Sequence, residues 1–151
     1  MINCKKLFLH VAVLLTGALS ATAFTTNDAV TIYDSYNAAF RDGTGYYPGW
    51  WTGAEEIEMA EDAYDNLPTA ARKTDVANAC SQFISHNGSS WFNSGASHYN
   101  EYNDDISWAV IAFARGYLIT GNTTFRDVAK NNWDGMYNRA WDWPCLDLVD
   151  R

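Results

Sequence analysis

From Asp104 to Leu118 the chain is apolar on most sides, through Ile106, Trp108, Ala109, Val110, Ile111, Ala112, Phe113, Ala114 and Tyr117. The segment after it carries one clean stripe, Phe125, Val128, Ala129, Trp133, Met136 and Tyr137, with a polar opposite face. A helix that is apolar all round is expected to be buried on all sides, whereas a one-sided helix covers it from outside. The pair therefore predicts two concentric helical layers. Thr120-Gly121-Asn122 supplies a glycine stop between them. Trp108, one turn into the apolar helix, reads as a core residue.

The remainder of the chain shows helical spacing and no alternating strand pattern, so the expected class is all-α. A first helix is predicted from Thr26 to Phe40, with Asn27 or Asp28 as its start signal. Arg41-Asp42-Gly43-Thr44-Gly45 breaks it, and Tyr46-Tyr47-Pro48-Gly49-Trp50-Trp51 forms an aromatic loop punctuated by glycine and proline. A second helix is predicted from Thr52 to Tyr64. Leu67-Pro68-Thr69 then starts a third, with Val76, Ala79, Cys80, Phe83 and Ile84 at helical spacing. A polar loop containing Trp91 and Phe92 follows, from Asn87 to Tyr102; a loop of that length inside a compact domain is often functional. A faint repeat accompanies the helices. Tyr64 and Tyr117 lie 53 residues apart, and Asp75-Val76-Ala77 and Asp127-Val128-Ala129 lie 52 apart, a period that suits a repeated helical hairpin.

The N-terminus reads as a secretory signal over residues 1–23. Lys5 and Lys6 precede an apolar stretch from Leu7 to Leu19, and Ala21-Thr22-Ala23 gives a small-x-small cleavage site. The stretch is too short to span a bilayer comfortably, so no membrane span is expected. Two sequons, at Asn87 and Asn122, fit a secreted glycoprotein. Cys80 and Cys145 could form one disulfide in an oxidising compartment. No zinc spacing is present, His86 and His98 read as isolated loop residues, and no metal or other cofactor is expected. Losing Lys5 and Lys6 with the signal takes the formal charge from −8 to −10. An acidic chain without a basic cluster argues against nucleic acid and anionic lipid, and fits a neutral partner.

The segment Tyr102-Asn103-Asp104-Asp105-Ile106-Ser107-Trp108 carries the chemistry. Paired carboxylates are the working groups of glycoside hydrolysis. The competing reading is structural: Asn103 or Asp104 as an N-cap, with its neighbour complementing the helix dipole. Trp50, Trp51, Trp91 and Tyr102 are candidates for stacking on sugar rings, and core packing is the alternative for each.

Taken together these pieces resemble glycoside hydrolase family 76, the endo-α-1,6-mannanases and their fungal cell-wall relatives. The resemblance is carried by Trp50-Trp51-Thr52-Gly53-Ala54-Glu55, by Tyr102 to Ala109 with the Asp-Asp pair, and by Tyr117-Leu118-Ile119-Thr120-Gly121-Asn122. Phe125 to Lys130 and Met136 to Asp142 continue it. It implies an (α/α)6 barrel, six helical hairpins in a ring, and retaining hydrolysis or transglycosylation of α-1,6-mannan. Asp104 would be the nucleophile and Asp105 the general acid/base. Retaining enzymes hold their two carboxyl groups about 5–5.5 Å apart. Neighbours within a regular helix do not face the same way, so the pair is expected where the backbone of Asp104 is not yet helical.

Twelve helices need well over ~200 residues, and five are visible in 151. The chain is therefore expected to be the N-terminal part of such a barrel, truncated: a partial catalytic domain over residues 24–142 and a divergent tail over 143–151. The whole enzyme would act on mannan outside the cell, in association with the wall, whereas the isolated fragment is expected to be inactive and aggregation-prone, because a half-ring leaves apolar surface uncovered. The alternative from another class is a secreted helical carbohydrate-binding or wall-associated protein without turnover.

Overall fold

The computed structural model describes residues 24–141, and within them the chain is all helical. The helices are α1 (Thr26–Phe40), α2 (Trp51–Asn66), α3 (Ala70–Asn87), α4 (Asn103–Thr120) and α5 (Thr123–Trp141). None is long and apolar enough to cross a membrane. The signal segment and Cys145 lie outside the described residues; Cys80, the other half of the expected disulfide, is buried.

Local chemistry sets the boundaries. Thr25 caps α1: its hydroxyl accepts from the Asp28 N–H (3.2 Å), and Asp28 accepts from the Thr25 N–H (2.8 Å). The start signal is thus Thr25, with Asp28 as its capping-box partner, because the box needs residues three apart. Thr69 caps α3 in the same way through the Arg72 N–H. Gly121 ends α4 at φ +76°, a left-handed conformation in which side chains are strained.

The helices pack in order. α1 lies on α2, α2 packs on α3 and α4, α3 on α4, and α4 most extensively on α5. α2 and α4 run parallel and level. Their N-terminal ends meet where Trp50 and Asp105 line one groove. Farther along, Arg115 of α4 reaches Asp62 and Asp65 of α2, each at 2.6 Å.

A chain of edge-to-face aromatic rings fills the centre. Trp50, Phe83, Trp91, Phe113 and Phe125 meet successively at centroid distances of 5.3–5.8 Å. Ala109, Ala112 and Gly116 let α4 approach this cluster closely. A Cβ on Gly116 would stand 2.9 Å from the Cys80 sulfur.

Three expectations are corrected. α4 is not buried on all sides: Ile106, Ala109, Ala112, Phe113 and Gly116 face the core, while Trp108, Ile111 and Leu118 are exposed, Leu118 at 79%. The other four described helices do not enclose α4 on every side, so part of its apolar surface stays uncovered. Trp108 is accordingly a surface residue rather than core. His86 lies in the last turn of α3 rather than in a loop, stacked on Tyr46 at 3.9 Å.

Candidate active site

The long loop, residues 88–102, is held to the body of the fold by two residues of α5. Asn132 is fully buried; its carbonyl oxygen accepts from the Trp91 N–H (2.7 Å) and its amide donates to Ser89 O (2.9 Å). Arg139 closes the far end. Its Nη1 donates to Asn100 O (2.9 Å), and its Nε and Nη2 both donate to Asn103 Oδ1, the former at 3.0 Å. The guanidinium also sits 5.6 Å from the Tyr99 ring centroid. A planar fork with five donors suits this work, because it ties loop backbone and helix start at once.

The loop delivers its last residues to the start of α4. Asn100 is buried and receives the Tyr102 N–H at 2.8 Å. Its amide Nδ2 donates to Asp105 Oδ2 at 3.1 Å. Tyr102 occupies the N-cap position without a side-chain cap bond, and Asn103 is the first helical residue. Neither Asn103 nor Asp104 is the cap.

Asp104 and Asp105 therefore lie inside the first turn, which corrects the expectation of a non-helical Asp104. The physical consequence is divergence: successive side chains on a helix point about 100° apart. Asp105 turns toward a shallow groove of about 460 Å³ lined by Trp50, Tyr99, Asn100, Glu101, Tyr102 and Asp105. Asp104 is exposed and is not among the groove's lining residues. Both still act on the same neighbour. The Tyr102 phenol is raised from its ordinary value, first by its hydrogen bond to Glu101 and the Glu101 charge, then by slight burial and the charges of Asp105 and Asp104.

The structure separates the four aromatic candidates. Trp50 and Tyr102 line the groove with Asp105. Trp51 opens α2 and is exposed, away from the groove lining. Trp91 is fully buried against Trp50, Phe83 and Phe113, and its indole N–H donates to Asn87 O and Gly88 O. Trp91 is thus a core residue and offers no ring face to a ligand. Its position in a polar loop gave no sign of this, since Asn132, 41 residues later, is what draws the loop inward.

The two sequons also differ. Asn122 is exposed between α4 and α5, where its side-chain oxygen accepts from the Thr124 N–H. Asn87 is half-buried, and its side-chain nitrogen donates to the Tyr46 hydroxyl at 3.1 Å. No group of three or more His, Cys, Asp or Glu among the described residues is arranged to hold a metal.

Asn100, Tyr99 and Arg139 are the site residues that sequence reasoning missed. Arg139 stands inside a segment that carries the family resemblance, but its contacts span 36 and 39 residues and leave no local pattern. No family model matches the chain, and no curated protein or solved structure matches it.

Proposed function

We propose that this chain is the N-terminal part of a secreted glycosidase or transglycosidase that acts on α-1,6-mannan through Asp104 and Asp105, on an (α/α)6 barrel. The observation that carries the reading is the pair of carboxylates in the first turn of α4, beside a groove that holds Trp50, Tyr102 and Asp105. Aromatic faces next to carboxylates suit a polyol ring, whose C–H face stacks while its hydroxyls donate. The acidic surface matches a neutral polymer.

The chemistry divides between the two residues. Asp105 protonates the glycosidic oxygen as the bond from that oxygen to C1 breaks, and Asp104 takes C1 as a covalent ester. Asp105 then draws a proton from water, or from a sugar hydroxyl in transglycosylation, and that oxygen displaces Asp104. The side chains diverge, so a sugar that engages both sits astride the helix start. Asn100 holds one oxygen of Asp105 and leaves the other for the proton transfer.

The divergence favours a second reading. With Asp104 outside the groove, the chain is a secreted carbohydrate-binding protein without turnover. Asp104→Asn and Asp105→Asn variants of a completed chain separate the two when α-1,6-mannan cleavage and mannan binding are followed together. Lost cleavage with retained binding fits the enzyme. Absence of cleavage by the completed parent chain, with binding intact, sinks it in favour of the binding protein.

A further inference from the structure

Arg115 stands between two sets of carboxylates. On the outer side its Nη2 donates to Asp62 and Asp65 of α2, at 2.6 Å each. Both aspartates are exposed, and α2 has no basic residue in its own last turn. Acidic groups near a helix C-terminus are unfavourable, because the end carbonyls carry partial negative charge. Arg115 is thus the cation that the end of α2 borrows from α4. On the inner side its Nε stands 3.8 Å from Glu61 Oε2. That is an ion-pair distance, but about 1 Å too long for a hydrogen bond.

Glu61 is fully buried, and neither of its oxygens has a hydrogen-bond partner in the protein. Gly116 leaves the space for it: a Cβ there would stand 3.4 Å from Glu61 Oε1 and 2.9 Å from the Cys80 sulfur. The titratable and charged groups that face Glu61 are Glu58, Asp62 and Asp65 on its own helix, Cys80 from α3 and Arg115 from α4. Arg115 is the one cation among them. A buried carboxylate without a full partner is costlier than the protonated acid, so Glu61 keeps its proton in the folded state. Burial lifting the carboxyl to about 9, against the pull of Arg115, agrees with this.

Ionisation reverses the balance. A buried carboxylate attracts a guanidinium more strongly than exposed ones do, because solvent screens the exposed pairs. A shift of about 1 Å brings Nε into hydrogen-bonding range of Glu61. The guanidinium is rigid and planar, so a fork that turns inward draws Nη2 away from the aspartates.

We infer that Glu61 and Arg115 form a proton-operated clamp on the last turn of α2. With Glu61 protonated, Arg115 holds Asp62 and Asp65 and ties that turn to α4. When Glu61 gives its proton to solvent, Arg115 turns inward to it and the turn is released. Asp62 also lines a cavity of about 250 Å³ between α1 and α2, which gains an unneutralised carboxylate when the clamp opens. The clamp does not depend on the function proposed above.

The test follows the full chain by carbon-detected NMR from pH 5 to pH 10, reading the carboxyl carbons of Glu61, Asp62 and Asp65 and the guanidinium carbon of Arg115. Amide exchange at Leu67, whose N–H closes the last turn of α2 on Ala63 O (3.1 Å), is measured alongside and corrected for base catalysis. In the parent, the four carbons are expected to shift with one midpoint, well above the ordinary carboxylate range. Protection at Leu67 is expected to fall about tenfold across the same step. In Glu61→Gln, which keeps the shape and cannot ionise, the aspartate and arginine carbons and the Leu67 protection are expected to stay flat above pH 6. If Glu61 titrates while Leu67 protection is unchanged, the charge acts through space alone and the clamp is overturned. It is equally overturned if Glu61 titrates in the ordinary carboxylate range. It also falls if the whole fold opens as Glu61 ionises, since the proton then guards the fold and not one turn.

Discussion

Glu61 is the least comfortable residue in the fold. It sits in the middle of α2 with no exposure to solvent, and neither carboxylate oxygen has a hydrogen-bond partner in the protein. Its surroundings are the Cys80 thiol, itself pushed up by burial, Gly116, and Arg115, whose Nε stands 3.8 Å from Oε2. Burial pushes its carboxyl up from 4.5 to about 9, against the pull of Arg115; Glu58, Asp62 and Asp65 add smaller pushes. The folded protein therefore holds a proton that the unfolded chain releases above the ordinary value. Between these two limits the native state binds more protons, so stability is full below pH 4.5 and falls as pH rises toward 9. The slope is about 1.4 kcal/mol per pH unit, which amounts to roughly 3 kcal/mol between pH 5 and pH 7. Glu61→Gln keeps the shape and removes the proton. Urea unfolding of parent and variant, followed by tryptophan fluorescence at pH 5, 6, 7 and 8, isolates this residue, because every other titration cancels in the difference. The variant is expected to match the parent near pH 5 and to exceed it by about 3 kcal/mol at pH 7. Parallel stability profiles across this range would refute the argument, since they require Glu61 to be solvated or fully paired.

Two further predictions concern the loop and its sequons. Arg139→Gln removes the charged fork that ties Asn100 O and Asn103 Oδ1, so hydrogen exchange over residues 93–103 should accelerate at least tenfold, while α2 and α3 stay protected; unchanged exchange would show that Asn132 alone holds the loop. Expressed through a secretory pathway, the chain should carry a glycan at Asn122 at higher occupancy than at Asn87, whose side-chain nitrogen is engaged with Tyr46. Peptide mapping by mass spectrometry checks this, and equal occupancy would show modification before α3 and its loop close.

What was legible in the sequence was whatever depends on near neighbours. The bounds of α1 and the glycine stop at Gly121 follow from spacing within a few residues, where backbone geometry repeats; the expected stripe of α5 is buried at Phe125, Val128, Ala129 and Met136 but exposed at Trp133 and Tyr137. The carboxylate pair at the start of α4 was legible for the same reason. The errors came from contacts made far along the chain. Trp91 looked like a loop residue offered to a ligand, and Asn132 draws it into the core. Trp108 looked like core, and the packing order leaves it outside.

By itself, then, the sequence determined that the described residues are helical, where most of their helices lie, and that Asp104 and Asp105 stand at the start of one of them. Only the tertiary structure decided what each of these neighbours meets, Asp105 a groove with Trp50 and Tyr102, Asp104 the solvent. It alone decided that Asn100 and Arg139 hold the loop beside them. The physical reason is range. Helical periodicity is a local property of the backbone, whereas the solvent or protein that each face meets is set by which distant segment packs against it.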